Sequence, residues 1–338
     1  MKMKSGRRLG VRASEGFSRA VANDRGVALM IVLWVMTLLM IIVSEFAYTM
    51  KVESAAVRNF KDEAEAYYLA SAGINMGLAE ISESYDLVCL DKDGSLVFKK
   101  KENGVLRDIE AKREEYLGGG KVFYTVSDER GKVNINTATR ETISEVLRIA
   151  GIEVADRDII ADSILDWRDA DQEHHMNGAE TDYYSSLPRP YAAKDGPLDT
   201  VEELLLVRGM TTEVFYGAGM APPELDSSAS ASGSDYKGVS RYLTVKGDGK
   251  ININTADEKV LEAVLGRGKT QEVLLRRSTE GFFEMPAYGG AVSSDTFLIR
   301  SIGEVRGVRV GIRAVAERKL GAANAVVSYW KEEGITPD

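Results

Sequence analysis

The chain has 338 residues, of which 28% are charged, and a formal net charge of −9. Residues 1–26 carry seven lysines and arginines against two acidic residues, a net charge of +5, which leaves −14 for residues 27–338. This acidic remainder argues against nucleic-acid binding, which draws its affinity from basic groups on phosphate. The single cysteine, Cys89, excludes an intramolecular disulfide.

The first predicted element is an apolar helix at residues 27–43, a run of 17 residues without a charge, a proline or a glycine. At about 1.5 Å per residue it would cover roughly 26 Å, close to the hydrocarbon thickness of a bilayer. Its basic flank predicts a cytoplasmic N-terminus and an exported C-terminal part. A buried core helix is the alternative, and it is disfavoured because no comparable apolar partner helix follows.

Amphipathic spacing continues this helix, because Ala56, Phe60, Ala64 and Tyr67 recur at three- or four-residue intervals. We therefore predict one helix over residues 27–83. Strands at 95–99 and 121–127 follow glycine-containing turn signals.

A repeat comes next. Residues 131–147, GKVNINTATRETISEVL, align without gaps to residues 249–265, GKININTADEKVLEAVL, with nine identities in 17 positions. Each copy predicts a half-buried strand that leads into a helix, with Thr137 and Thr255 at the N-caps and a capping box between Thr255 and Glu258. The repeat indicates one strand-turn-helix unit used twice, without indicating a function.

Helices, a linker and two strands are predicted between and after the copies. Apolar periodicity predicts helices at 141–150, 154–169 and 201–207. The Ser- and Ala-rich stretch that ends near residue 240 is typical of a flexible linker. Strands are predicted at 297–302 and 305–317, with Arg306-Gly307 as a hairpin signal.

The strongest local signal is an acidic loop, DWRDADQEHHMNGAETD, which places six carboxylates in residues 166–182. Hard oxygen donors in a loop suit calcium, and the other interpretation is a solvated acidic loop. With Asp169 as position 1, Glu180 falls at EF-hand position 12, but His174 occupies the position that needs glycine, so an EF-hand is not predicted. Two adjacent histidines and one distant cysteine make zinc and catalytic triads poor candidates.

Several stretches resemble a known family. Arg25-Gly26 before the apolar run and the following AYYLASAGINMGLAEI are similar to the type IV pilin-like proteins of secretion systems. KVNINTA, SILDWRDAD, NGAETDYY, PLDTVEELLLVRGM and KININTA, in this order, resemble the minor pseudopilin K family of type II secretion, also called general secretion pathway protein K.

The resemblance implies an α+β fold in which a long N-terminal α-helix packs on an antiparallel pilin-type sheet, with an inserted all-α domain. The corresponding segments are a cytoplasmic prepilin leader at 1–26, a transmembrane and assembly helix at 27–83, a pilin α/β domain in two parts at 84–138 and 241–338, an inserted helical domain at 139–223, and a flexible linker at 224–240.

The resemblance also implies processing and a cofactor. Prepilin peptidase would cleave after Gly26, and the new N-terminus, Val27, would be methylated. Most pilins carry glutamate at the fifth position after the cut, whereas this chain has Ile31. Members of the family that it resembles typically lack this glutamate. Family members bind structural calcium in the inserted domain, and the implied ligands here are Asp169, Asp171, Glu180 and Asp182, with Glu173 and Asn177 as further candidates.

The implied function is that of a non-enzymatic minor pseudopilin at the tip of the pseudopilus, which assists export of folded proteins across the outer membrane. The implied partners are minor pseudopilins I and J, the major pseudopilus subunit, the inner-membrane assembly platform and prepilin peptidase. Alternatives are a minor pilin of a type IV pilus, or a membrane-anchored periplasmic hydrolase that uses the acidic loop.

Overall fold

The computed structural model describes residues 24–109, 113–217, 237–318 and 324–333. Most of the predicted leader, residues 1–26, and most of the predicted linker, residues 224–240, lie outside this described part. The chain divides into two compact units, of which the first ends at Phe60 and the second, called the head below, begins at Lys61.

The first element, α1, is one helix from Asp24 to Ser82, 59 residues long, which confirms the predicted long N-terminal helix. It is uninterrupted because the first proline of the chain is Pro188. Up to Phe60 its large apolar side chains, such as Leu29 and Trp34, are exposed. Among the described residues it is the one helix long and apolar enough to cross a membrane, by length and composition.

The elements that follow α1 alternate between strands and short helices. They are β1 (Leu87–Leu90), β2 (Leu96–Glu102), β3 (Val105–Asp108), β4 (Glu114–Leu117), β5 (Gly120–Asp128), β6 (Val133–Asn134), α2 (Arg140–Ile149), α3 (Val154–Arg168), α4 (Thr181–Ser185), α5 (Thr212–Tyr216), β7 (Leu243–Thr244), α6 (Glu258–Leu265), α7 (Arg267–Glu280), β8 (Thr296–Val305), β9 (Val308–Glu317) and β10 (Val326–Glu333). Short 3-10 helices lie at Glu129–Gly131, Val201–Leu206 and Ser240–Tyr242.

The main sheet of the head is antiparallel, with strand order β10-β9-β8-β5-β4. The last turns of α1 pack on one face of this sheet at very short range. A Cβ added to Gly77 would lie 2.8 Å from Ile299, and one added to Gly73 would lie 2.7 Å from Val122. This face and α1 share a buried core that includes Ile74, which confirms the helix-on-sheet arrangement of the predicted fold.

The helical domain is inserted between β5 and β8, and this differs from the predicted boundaries. The sequence placed residues 139–223 in the inserted domain and assigned all of 241–338 to the sheet domain. In the structure, Ile143 and Leu147 of α2 share one core with Val260 and Leu261 of α6. The insertion therefore extends from the end of β5 to the start of β8, and the sheet domain resumes at Thr296.

The two copies of the repeat explain this boundary, because their helices pack on each other. α2 of the first copy packs against α6 of the second, and Val133 of the first copy pairs in a short parallel ladder with Leu243, which precedes the second copy. The predicted half-buried strand is reduced to two buried residues in the first copy. Each copy buries one apolar face in the same hydrophobic core. Both copies therefore belong to one domain.

Side chains fix both copies in the same way. The side-chain nitrogen of Asn136 donates to the carbonyl of Leu198, and its side-chain oxygen accepts from the Leu198 amide. The side chain of Asn254 makes the same pair of hydrogen bonds with the backbone of Phe283. The helix that follows each copy contributes an arginine, which donates to a carbonyl of the NINTA turn. These arginines are Arg168 of α3 and Arg277 of α7, and burial lowers the pKa of both.

The predicted helix caps were wrong. Thr139, not Thr137, caps α2 by accepting from the amide of Thr142, and Asp257 caps α6 by accepting from the amide of Lys259. Thr255 instead donates to the buried carboxylate of Asp128 at 2.7 Å. The N-caps lie two residues later than predicted, because the NINTA segment forms a turn before each helix.

The end of the predicted linker is also ordered. The amide of Lys237 donates to the Ala150 carbonyl, and the amide of Val239 donates to the Val214 carbonyl at 3.0 Å. Val239 is fully buried. Residues 237–240 therefore belong to the helical domain, because their backbone and one side chain are held by it.

Candidate metal centre

The acidic loop begins where α3 ends, and the end of this helix is held firmly. Arg168 donates from the last turn of α3 to the carbonyls of Ile135 and Ala138. This anchor fixes Asp166 on its helix and Asp169, the C-cap residue, immediately after it. Glu180 approaches from the other end of the loop, as the N-cap residue of α4.

These elements bring acidic side chains into two overlapping groups. Asp169, Asp171 and Glu180 each offer a carboxylate oxygen, and the three oxygens lie within 4.8 Å of one another. Asp166, Asp169 and His175 form a second group under the same distance limit. Asp169 belongs to both groups and joins them.

Burial leaves several of these oxygens without a hydrogen-bond partner. Asp166 is 0% exposed and Glu180 is 1% exposed. Both carboxylate oxygens of Glu180, Oδ2 of Asp166 and Oδ1 of Asp169 are buried and unpaired within the described structure. Buried carboxylates without a partner carry a large desolvation cost, which a bound cation would offset.

Mutual repulsion adds to this cost. Burial, followed by the neighbouring charges of Asp166, Asp169 and Asp195, raises the pKa of Glu180 to about 7. Burial, then Asp171 and Asp166, also raises the pKa of Asp169. The site therefore disfavours its own negative charge, and a cation placed among these oxygens would relieve both causes. The donor set of carboxylates fits a hard cation such as calcium.

Three of the six predicted ligands do not enter either group. Asp182 is a mostly exposed side chain that pairs with His174 at 3.1 Å. Asn177 donates from its side chain and its amide to Asp162, at 3.0 and 3.1 Å. Glu173 is exposed, and its amide donates to Asp171 Oδ1 at 2.9 Å. The structure thus separates Asp169, Asp171 and Glu180 from the other three.

Sequence reasoning did not select Asp166 and His175 as ligands. Asp166 and Asp169 are three residues apart at the end of a helix, a spacing that places side chains on one face and could have indicated the pair. His175 hydrogen-bonds Asp166 through its ring Nδ1 and through its amide, whereas the adjacent His174 points to Asp182. The two neighbouring histidines therefore contact different carboxylates.

Without metal, the protein is expected to become less stable as pH rises from about 4.5 to about 7, the ordinary and the raised pKa of Glu180. In this window the folded state binds more protons than the unfolded state, so the free energy of unfolding falls with rising pH. The measurement is the Tm of EGTA-treated full-length protein in detergent at pH 5 and pH 8. Glu180→Gln should reduce the difference, and an identical difference in the variant would contradict the assignment.

Comparison with known proteins finds similarity to one family. A family model described as type II secretion system (T2SS), protein K, matches residues 124–217, which include the acidic loop. Type II secretion system protein K of Pectobacterium carotovorum subsp. carotovorum is 27% identical over 114 residues, covering 29% of this chain and 35% of that protein. Residues 124–217 are thus similar to the protein K family of type II secretion systems.

A solved structure agrees with the fold of this chain. The crystal structure of the GspK-GspI-GspJ complex from the enterotoxigenic Escherichia coli type 2 secretion system includes a chain similar to this one, with a TM-score of 0.58 and 17% identity. The match covers 83% of this chain and 100% of that chain. At this identity the likeness concerns the fold, and the sequence match above spans only about a third of its curated relative.

Proposed function

We propose that this chain is a member of the protein K family and a non-enzymatic minor pseudopilin, located at the tip of the pseudopilus of a type II secretion system, which assists export of folded proteins across the outer membrane. The observation that carries the proposal is the combination of a protein K family segment at residues 124–217 with one N-terminal apolar helix. An enzyme gains no support from the acidic groups, because their oxygens lie within 4.8 Å of one another, closer than the paired carboxylates of most glycosidases.

The proposed location is the inner membrane, with a single span. The net charge of +5 in residues 1–26 would hold the N-terminus in the cytoplasm, and the head would lie in the periplasm. The exposed apolar side chains of α1 as far as Phe60 suit both lipid and the apolar helices of other subunits. This supports a helix that rests in the membrane before assembly.

The proposed partners follow from the relatives. Protein K of enterotoxigenic Escherichia coli was crystallised with GspI and GspJ, so minor pseudopilins I and J are the proposed neighbours of this chain. The major pseudopilus subunit, the inner-membrane assembly platform and prepilin peptidase complete the set that pseudopilus assembly requires. Ile31 stands where most pilins carry glutamate, which supports a subunit that enters the filament first.

The processing proposal predicts a specific mature N-terminus. Mass spectrometry of the protein purified from membranes should find a chain that begins with N-methylated Val27 and lacks residues 1–26. Replacing Gly26 by leucine should leave the leader attached, because the bulkier side chain would occupy the cleavage position. A wild-type protein that still begins at Met1 in cells with active prepilin peptidase would contradict the proposal.

Calcium is the proposed structural cofactor. Asp169, Asp171 and Glu180 would hold it, with Asp166 next to them, because these carboxylates converge and their buried oxygens lack partners. The bound ion would neutralise their repulsion and fix the long loop between α3 and α4. Its role would be stability of the helical domain, with no part in a reaction.

A further inference from the structure

The outer face of the main sheet, which is turned away from α1, carries basic side chains in one cross-strand row. Ile299 and Ser301 lie against glycines of α1, so the alternation of side chains along β8 turns Arg300 to the opposite face. Arg300 lies directly opposite Arg313 of β9, and Arg313 lies directly opposite Lys331 of β10. Arg300, Arg313 and Lys331 are called the cationic row below.

Like charges directly opposite each other destabilise a sheet, since their Cβ atoms are only about 5 Å apart. Among the described residues, carboxylates pair only with the central member of the row. Arg313 pairs with Glu202 at 3.1 Å and, through its Nε, with Glu333 at 3.4 Å. Arg300 and Lys331 are exposed, and neither has an ion pair with any described residue.

Apolar side chains border the cationic row on both sides. Towards the β8–β9 turn, Phe123 lies opposite Ile302, and Ile302 is 38% exposed. On the other side, Val315 lies opposite Tyr329, and both are partly exposed. A basic row between apolar rows matches a protein interface, in which arginine and aromatic residues are enriched.

The spacing of the row selects between kinds of anion. Arg300 and Lys331 are two strands apart, about 10 Å at the usual strand separation. Two carboxylates three residues apart in an extended polypeptide are also about 10 Å apart and can meet both side chains at once, whereas one phosphate could do so only if both side chains bent towards it. The bordering apolar rows would also have no role with a free phosphate.

We propose that the cationic row docks an acidic segment of a partner protein. Two carboxylates of the segment pair with Arg300 and Lys331, and an apolar side chain between them rests on Phe123 and Ile302. This surface lies on the opposite face of the sheet from α1, so the inference goes beyond the proposed pseudopilin role and does not depend on it.

The test measures binding of a fluorescein-labelled acidic peptide, DEFDE, to the full-length protein in detergent by fluorescence anisotropy. We expect the double variant Arg300→Gln/Lys331→Gln to bind about tenfold more weakly, because two charge-assisted contacts are lost. The matched control is Lys92→Gln/Arg107→Gln, which removes the same charge from exposed positions outside the main sheet and should bind like the wild type. The uncharged peptide NQFNQ should not bind.

Each other outcome would overturn the proposal. These outcomes are no binding by the wild type, equal weakening in both double variants, and equal binding of NQFNQ. Direct binding of short-chain phosphatidylglycerol that depends on the row, with no peptide binding, would overturn the proposal and assign the surface to lipid instead. The Tm of the row variant should equal or exceed that of the wild type, because repulsion is removed, and the two-peptide comparison on the wild type needs no variant.

Discussion

Replacing Gly303 by alanine is expected to destabilise the head by about 3–4 kcal/mol, the upper range for overpacking at a buried position. Gly303 lies in β8 where α1 crosses the sheet. An added Cβ would lie 2.6 Å from the amide nitrogen of Ala70, 2.9 Å from Leu69, and closer still to the carbonyl oxygen of Ala66. Because two of these atoms belong to the backbone of α1, the helix itself must shift. Urea denaturation of the full-length protein in detergent measures the effect.

The matched control for this prediction is Gly119→Ala in the turn between β4 and β5. Gly119 joins two strands of the same sheet, and an added Cβ there meets nothing within 4 Å. Its free energy of unfolding should stay within about 0.5 kcal/mol of the wild type, as for most exposed substitutions. Equal stability of the two variants would show that the contact between α1 and the sheet is looser than the structure has it.

Removing calcium is expected to lower the Tm by about 5–10 °C, because saturation about 100-fold above Kd contributes about 2.7 kcal/mol. The measurement compares full-length protein in detergent with calcium and with excess EGTA. The carboxylates of Asp169, Asp171 and Glu180 would repel one another once the ion leaves. If EGTA left the Tm unchanged, the calcium proposal would be contradicted, whereas the similarity to the protein K family would be unaffected.

Two variants test which carboxylates bind the calcium. Glu180→Gln should abolish the response to EGTA, because Glu180 is buried within the acidic group. Glu173→Gln should keep the response, because Glu173 is exposed and lies outside both groups. If the Glu173 variant lost the response and the Glu180 variant kept it, the ligand set inferred from the structure would be wrong.

The candidate site was only partly predictable from the sequence. The density of carboxylates in residues 166–182 indicated a metal loop, and the structure brings three of the six predicted ligands together. The choice among them was not predictable, because the loop path decides which side chains turn inward. Asp182 lies two residues after Glu180, yet it is exposed beside His174, whereas Asp166 is buried against the loop.

The sequence by itself determined the elements whose signals are local. An apolar and then amphipathic run without proline specifies α1, and Arg306-Gly307 specifies the β8–β9 turn, where both residues adopt positive φ. The ordered motifs also indicated a resemblance to the protein K family, to which residues 124–217 are similar.

Only the tertiary structure decided the features that join distant residues. Leu147 of α2 shares one core with Leu261 of α6 and Val273 of α7, across more than a hundred residues of intervening chain, and this packing places α6 and α7 in the helical domain. The cationic row exists only because the strand register aligns Arg300, Arg313 and Lys331. The physical reason is common to both cases: a local pattern sets the period of a segment, whereas its partner and register depend on packing with the rest of the chain.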